Sequence, residues 1–301
     1  MHLHQLKYFV SVVKTGSITK AAKHCFISQP SISQQISKLE ENIGKKLFTK
    51  IDGKLVLTKP GNILYEQAVK ILTSVDDAKR YIRDADSNKG GEVRIGILPT
   101  LAPFILPNAL QALSEKYTDV AILIREEISE SLIAAAQQGE LDILIESLPF
   151  NKKNLDIEPL FSDPFYLAVH KSHPLASSKE IHLNSLEGMP FILLEDIHCM
   201  TRQIEQFCFS EQFVPKVVFQ ASQISTIELL IESNYGVSIL PAIATIQKDT
   251  DSQIRYVKLV SENQPPKREI VLATVKDRYF SPAAKYFIDT IKKRYQQIKL
   301  V

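Results

Sequence analysis

The sequence predicts an α/β protein in which an N-terminal winged helix-turn-helix and a linker helix precede a larger, doubly wound domain. The first 58 residues combine short amphipathic helical patterns with an excess of lysine, and residues 59–88 carry a narrow, heptad-like apolar seam. The rest of the chain alternates short apolar runs with helical stretches. A length of 301 residues, 45% of them hydrophobic, suits about two globular domains.

Three helices are predicted in the N-terminal module. Ser17 and Ser28 are N-cap residues for the second and third helices, Pro30 stands in the first turn of the third, and Gly16 ends the first. Apolar residues recur at helical spacing in each: Leu6, Phe9, Val10 and Val13, then Ala21, Ala22 and Cys25, then Ile32, Ile36 and Leu39. Cys25 is expected to be inert core because it lies on the packing side.

The charge of this module indicates nucleic acid as a partner. Residues 1–58 hold nine lysines against three acidic residues, a net charge of +6, whereas the whole chain has +2. Amide and hydroxyl side chains suit base edges, and lysines suit phosphates. The expected DNA contacts are Ser28, Gln29, Pro30, Ser31, Ser33, Gln34 and Lys38, with Lys50 from the wing. A helical bundle with a solvated basic surface is the alternative that the residues leave open.

A wing and a linker helix follow. Asp52-Gly53 lies between two short runs at 50–57, which predicts a β-hairpin. The seam that follows consists of Leu64, Ala68, Ile71, Val75, Ala78, Ile82 and Ala85. So narrow a seam suits a partner helix, and we therefore expect it to form a dimer. Packing of the stripe on its own domain is the alternative.

The remaining residues predict a parallel, doubly wound sheet after the turn-rich segment 87–91. The expected strands are 93–97, 121–124 and 141–145, then 165–169, 190–194, 217–220 and 237–240. The strand 269–275 and the terminal helix 282–298 are expected to return to the first set. Ligands in such folds bind at the carboxyl ends of strands, where Thr100 and Cys199 would lie.

Cys199 and Cys208 stand nine residues apart in a segment with a helical pattern. Nine residues of helix correspond to a rise of about 13–14 Å and to opposite faces, whereas a disulfide needs Cα atoms within about 7 Å. A bond between these thiols would therefore require the helix to unwind, which is the chemistry of a redox switch. Burial as small apolar side chains is the alternative. His198, Cys199 and Cys208 lack the spacing and the fourth ligand of a zinc site, so we expect neither a metal nor another cofactor.

Cellular location is also constrained by composition. Three cysteines in 301 residues do not form a disulfide framework. The N-terminus lacks a signal-peptide pattern, and no run approaches the roughly 18 apolar residues of a membrane span. We expect a cytoplasmic protein with no membrane partner.

Residues 1–86, with Ala21-Ala22 and the run SQPSISQQISKLE at 28–40, resemble the winged helix-turn-helix and linker of LysR-type bacterial transcription regulators, and the rest of the chain fits that family. The resemblance implies a DNA-binding domain at 1–58, a dimerisation helix at 59–88 and an effector domain at 89–301. That domain would have two lobes and resemble periplasmic binding proteins, with lobe I at about 89–162 and 268–301 and lobe II at about 163–267. The implied partners are double-stranded operator DNA, RNA polymerase and further copies of the chain, as a homodimer or homotetramer. No enzymatic activity is implied.

Leu194-Glu195-Asp196, His198-Cys199 and Cys208 resemble, more narrowly, the hydrogen-peroxide sensors of that family. This implies that peroxide oxidises Cys199 to a sulfenic acid, that Cys208 resolves it as a reversible disulfide, and that Thr100, Ser129, His198 and Arg268 surround the reactive sulfur. Ser129 stands where the family usually has threonine, and Ile197 where its pattern has glycine, a departure that bears on peroxide sensitivity. A helix N-terminus should lower the pKa of the Cys199 thiol.

Other hypotheses remain open for the site and the function. Thr100 and Ser129 could be helix caps, and Arg268 could form a surface ion pair. The chain could be a LysR-type regulator that responds to a small metabolite, or a thiol peroxidase. A sensor consumes about one equivalent of peroxide per subunit, a peroxidase many, and a regulator without redox chemistry none.

Overall fold

The computed structural model describes residues 1–85, 90–246, 252–262 and 265–296, and the chain divides into two compact units, residues 1–86 and 87–301. The predicted turn-rich segment 87–91 lies outside the described residues up to position 89, as do the last residues of the predicted linker and of the predicted terminal helix.

The N-terminal unit is a helix-turn-helix with a wing and a long helix. Its elements are α1 (Leu3–Thr15), α2 (Ile18–His24), α3 (Gln29–Ile43), β1 (Phe48–Ile51), β2 (Lys54–Leu57) and α4 (Lys59–Ala85). The Ser17 side chain accepts a hydrogen bond from the backbone N–H of Lys20, and Ser28 accepts one from Ser31, as the sequence predicts. Asp52 and Gly53 both have positive φ, which a tight type I′ hairpin turn requires.

A buried carboxylate joins the wing to α3. Glu40 accepts a hydrogen bond from the backbone N–H of Leu47 at 2.8 Å and pairs with the Lys46 ammonium at 2.7 Å. The start of the hairpin is therefore fixed to the helix that carries the predicted base contacts.

The C-terminal unit is a mixed α/β domain. Its strands are β3 (Gly91–Ile97), β4 (Val120–Glu126), β5 (Ile143–Ser147), β6 (Leu155–His170), β7 (Glu180–His182), β8 (Pro190–Leu194), β9 (Lys216–Ala221), β10 (Ser238–Pro241), β11 (Ile254–Val260) and β12 (Lys267–Val275). Its α-helices are α5 (Ala102–Lys116), α6 (Ser129–Gln137), α7 (Cys199–Ser210), α8 (Ile224–Glu232) and α9 (Pro282–Tyr295).

The strand order corrects the prediction of a parallel sheet. β3 pairs in parallel with β4 and β5, and β8 pairs in parallel with β9. β12, however, is antiparallel to both β5 and β6, and β6 is antiparallel to β10 and β11, so the main sheet is mixed. The 16-residue strand β6 was predicted only at 165–169. Nine of its first ten residues pair with β12, Leu160 being left unpaired in a bulge, and its last six pair with β10 and β11.

The domain has two hydrophobic cores, one on each side of the point near Phe165 where β6 stops pairing with β12 and begins to pair with β10 and β11. The first packs β3, β5 and β12 against α5, α6 and α9. The second packs β8 and the end of β6 against α7 and α8. The domain therefore has two lobes, and β12 and α9 belong to the first. In the part of the chain that is described, no helix is long and apolar enough to cross a membrane.

Candidate functional site

The predicted DNA contacts lie on the outward side of α3 and on the wing. Gln29, Pro30, Ser31, Gln34, Lys38 and Lys50 are exposed, and Ser33 is half-buried. The Ser28 hydroxyl is also exposed, but it accepts the capping N–H of Ser31 at 3.3 Å and lies 2.7 Å from the Ser31 hydroxyl. Ser28 and Ser31 thus stabilise the start of α3, while the following polar side chains are available to a ligand.

The apolar seam of α4 divides into two parts. Leu64 and Ala68 pack in the core of the N-terminal unit, so for them the alternative of packing on their own domain is correct. Ile71 is 37% exposed and Ile82 69% exposed. The second half of the helix therefore presents apolar side chains that the N-terminal unit does not cover.

Cys199 is the first residue of α7, and Cys208 lies near the end of the same helix. The Cys199 side chain packs against the core of the first lobe, whereas Cys208 is fully buried in the core of the second. Both thiols are free, as is that of Cys25 beside the core of α1 to α3. The helical geometry assumed for the pair is confirmed.

Ser129 and Glu146 form a buried pair beside Cys199. Ser129 is the first residue of α6, and its hydroxyl donates a hydrogen bond to Glu146 Oε2 at 2.6 Å. Ser129 and Cys199 line the same cleft, and the Ser129 side chain acts against the rise that burial causes in the pKa of Cys199. Sequence reasoning missed Glu146, although a glutamate that follows the apolar run Ile143–Ile145 was a usable signal.

Arg268 joins the two lobes in a buried network. Its guanidinium donates to the Thr100 hydroxyl at 2.7 Å and pairs with Asp163 at 2.9 Å, and all three side chains are buried. The surface ion pair considered for Arg268 is therefore wrong. The capping alternative is also wrong, because neither the Thr100 nor the Ser129 side chain makes a cap hydrogen bond to its helix.

The pKa values of the site follow from burial. Burial raises the pKa of Cys199, and the positive charge of Arg268 offsets this only in part, so the lowered pKa predicted from the helix N-terminus is wrong. Burial together with the Glu205 charge raises the pKa of Cys208 to about 12. His198 is the N-cap residue of α7, but its side chain makes no capping hydrogen bond. It is 7% exposed, and burial lowers its pKa and so favours the neutral imidazole. The raised pKa of Cys199 favours the protonated thiol at neutral pH.

Two further side chains of α7 reach across to the first lobe. Arg202 pairs with Glu130 of α6 at 2.9 Å. The Gln203 amide donates to the Ser147 hydroxyl at 3.0 Å and to the Leu148 carbonyl at 2.7 Å. Arg202, Gln203 and Cys199 line a cleft of about 460 Å³ between α6, α7 and the loop after β5. Ile197, the departure from the family pattern, is 52% exposed and does not line it.

Comparison with known proteins places this architecture in a family. Residues 3–62 match the model of the bacterial regulatory helix-turn-helix proteins of the lysR family, and residues 86–296 match that of the LysR substrate binding domain. The chain belongs to the LysR family and is a DNA-binding transcription regulator. It is not an enzyme, so the thiol-peroxidase hypothesis is wrong.

Within the family the chain is similar to peroxide-responsive members. It is 28% identical to the hydrogen peroxide-inducible genes activator of Haemophilus influenzae, over 90% of each chain. It is 27% identical to the transcriptional dual regulator OxyR of Escherichia coli, over 99% of this chain and 93% of that one. Among solved structures, a full-length OxyR variant from Pseudomonas aeruginosa has the same fold, with a TM-score of 0.73, 24% identity and coverage of 100% and 96%.

Proposed function

We propose that this regulator senses hydrogen peroxide through Cys199 and a reversible disulfide between Cys199 and Cys208. The observation that carries the proposal is the placement of both thiols on one helix, α7, with Cys199 beside the Ser129 hydroxyl and Cys208 in the other lobe's core. The similarity to peroxide-inducible activators supports it.

The chemistry proceeds in two balanced steps. The Cys199 sulfur attacks one peroxide oxygen, the O–O bond breaks, and a sulfenic acid and one water form. The Cys208 thiol then attacks the Cys199 sulfur and releases a second water, leaving the disulfide. His198 and the Thr100–Arg268 pair would position the peroxide and stabilise the departing oxygen.

Disulfide formation must rebuild α7. In the helix the two Cα atoms are separated by a rise of about 13–14 Å, well beyond the roughly 7 Å that a disulfide allows. Unwinding would break the links that Arg202 and Gln203 make to the first lobe. α7 is then the two-state element through which sulfur chemistry changes the relation between the lobes.

The N-terminal unit would transmit this state to DNA. We assign residues 1–58 to operator binding, 59–88 to dimerisation, 89–162 with 268–301 to lobe I and 163–267 to lobe II. The regulator would act as a homodimer or homotetramer on a two-fold operator, with RNA polymerase as a further partner.

Thiol counting tests the proposal directly. The reduced protein is treated with one equivalent of peroxide per subunit, free thiols are counted, and operator binding is compared before and after reduction with dithiothreitol. We expect the loss of two thiols per subunit, with Cys25 retained, and a reversible change in DNA binding. Peroxide treatment that leaves all three thiols free would refute a peroxide sensor.

The second candidate is a regulator that responds to a small metabolite. The cleft between α6 and α7 favours it, because Gln137, Asn151 and Gln206 supply amide groups there beside the Arg202–Glu130 pair. Thiols that do not react with peroxide, together with a metabolite that changes operator binding, would support this candidate instead.

A further inference from the structure

Glu146 is a buried carboxyl beside the reactive thiol, and the two-cysteine chemistry does not use it. Its side chain is 0% exposed, on a strand whose residues from Ile143 to Ser147 are all buried. Oε2 accepts the Ser129 hydroxyl, whereas Oε1 has no hydrogen-bond partner among the described residues. A buried carboxyl that lacks a hydrogen bond to one oxygen lowers the stability of the fold, and an apolar side chain at this position would not have this cost. Such a group is a candidate for a functional role.

Ser129 lies beside both this carboxyl and Cys199, and its hydroxyl carries one proton. Its hydroxyl donates to Glu146 Oε2 at 2.6 Å. Ser129 also lines the same cleft as Cys199, and its side chain acts against the rise that burial causes in the pKa of Cys199. A serine hydroxyl has one proton to donate and can accept in addition. When the carboxyl is ionised, Ser129 donates to it and can accept from the thiol. When the thiol is ionised, Ser129 donates to sulfur and accepts from the protonated carboxyl.

We propose that Glu146, acting through Ser129, is the proton acceptor that converts the Cys199 thiol into the thiolate that peroxide oxidises. This rests on the proposed function of Cys199. The Cys199 proton passes to the Ser129 oxygen while the Ser129 proton passes to Glu146 Oε2. The thiolate then attacks peroxide and the O–O bond breaks. The departing hydroxide takes the proton back from Glu146 along the same route, so that one sulfenic acid and one water result and the carboxylate is restored.

The neighbouring charges suit this transfer. Burial raises the pKa of Glu146 to about 7, and the negative charge of Glu130 on α6 acts in the same direction. On the sulfur side, Arg268 of β12 and Arg202 of α7 favour the thiolate. Arg268 is itself paired with Asp163 of β6. The imidazole of His198, next to Cys199, is favoured in its neutral form, because burial lowers the His198 pKa. Near neutral pH the carboxyl can therefore either hold or release a proton.

The pH dependence of Cys199 oxidation tests the proposal. Full-length reduced protein is mixed with hydrogen peroxide between pH 5.5 and 9, and sulfenic acid formation at Cys199 is followed by rapid quench and mass spectrometry. We expect the wild-type rate to rise through pH 7 and then level off. Glu146→Gln should lose that inflection and react at least about tenfold more slowly at pH 7.5, since a positioned general base contributes about 10²–10⁴-fold. Its rate should instead increase steadily with pH as the thiol ionises unaided.

Two variants at the bridging position provide an independent arm. Ser129→Ala should lose the inflection although Glu146 is intact, and Ser129→Thr should keep it because the hydroxyl remains. Glu115→Gln, which changes an exposed carboxylate on α5, is the matched control and should follow the wild type. The serine pair decides the question if the Glu146 variant does not fold.

Opposite results would identify a different role. Glu146 also raises the pKa of Cys199 as a negative charge. If it acted only in that way, Glu146→Gln would react faster than wild type, and the proposal would be overturned. An unchanged inflection near pH 7 in both Glu146→Gln and Ser129→Ala would overturn it equally. A wild-type Cys199 that does not react with peroxide would instead refute the proposed function.

Discussion

Cys199 and Cys208 lie on one helix but belong to different cores: Cys199 packs against the first lobe, and Cys208 is buried in the second. A bond between them must therefore remove Cys208 from an apolar environment as well as unwind α7. Apolar burial raises the Cys208 pKa to about 12, together with the Glu205 charge, so Cys208 is not reactive until the helix opens. Oxidation of Cys199 by peroxide can therefore begin in the folded helix, whereas disulfide formation with Cys208 requires α7 to unwind.

Replacing Cys199 and replacing Cys208 should therefore have different effects on the reaction with peroxide. Cys199→Ser should abolish peroxide-dependent thiol loss, because Cys208 is buried and protonated. Cys208→Ser should accumulate a sulfenic acid at Cys199, trapped with dimedone and located by peptide mapping. Cys25→Ser is the control and should behave as wild type. Dimedone labelling at Cys208 in the Cys199→Ser protein would contradict this order of reaction.

The change of fold should appear in amide exchange. The backbone of α7 is continuous from Cys199 to Ser210, so its central amides should be protected in the reduced protein. Oxidation by one equivalent of peroxide should increase exchange across 200–207, and reduction should restore protection. The Cys208→Ser protein, which cannot form the disulfide, should show no such increase. A wild-type disulfide with unaltered exchange would mean that the helix does not have to open.

Local signals made the N-terminal unit predictable. Ser17 and Ser28 cap their helices, and Asp52-Gly53 makes the hairpin turn, so each boundary follows from residues adjacent to it. The seam of α4 was predictable as a pattern. Its division into a packed and an exposed half was not, because that division depends on the distant residues that pack against Leu64 and Ala68.

Long-range features could not be predicted from the sequence in the same way. β6 contains Pro159 and Pro164, which argue against a central strand. At the register shift between Ile270 and Val271 of β12, Leu160 of β6 has no partner, so β6 has a bulge next to Pro159. The resemblance pointed to Ser129 and Arg268, but their partners Glu146 and Asp163 are far away in sequence and were missed. The predicted direction of the Cys199 pKa shift was wrong, because the sequence shows that Cys199 begins a helix but does not show that its side chain is buried.

DNA binding should distinguish base contacts from phosphate contacts. Gln29 is exposed at the start of α3, so Gln29→Ala should lower discrimination between operator and mismatched sites, by about 1–3 kcal/mol at the contacted base pair. Lys50→Ala should weaken binding to all sequences alike and reduce the salt slope by about 1. Fluorescence anisotropy at several salt concentrations measures both effects. Lys171→Ala, an exposed lysine of the C-terminal unit, is the control. Equal losses of specificity in the Gln29 and Lys50 variants would reject this assignment.

The exposed half of α4 should determine the oligomeric state. Ile82→Asp places a charge where the helix is exposed, so it should leave the N-terminal unit folded and dissociate the proposed dimer. Affinity for a two-fold operator should fall roughly 100-fold as the two half-sites cease to be bound together. Light scattering gives the mass, and Gln67→Asp, which is exposed on the same helix outside the seam, is the matched control. Unchanged mass for Ile82→Asp would show that the seam has another role.

Glu146 should also make stability depend on pH in the absence of peroxide. Its pKa in the folded state is about 7 against an ordinary value of 4.5, so between these values the folded protein holds a proton that the unfolded chain has lost. Stability from this group is therefore complete below pH 4.5 and decreases as the pH rises through 7. Glu146→Gln has no such dependence. The stability advantage of the variant over wild type should consequently grow by about 2–3 kcal/mol between pH 5 and pH 8. Urea denaturation of both proteins at several pH values measures it, with Glu115→Gln as the control. A difference that does not change with pH would show that Glu146 is ionised throughout, and it could then not exchange a proton with Cys199 near neutrality.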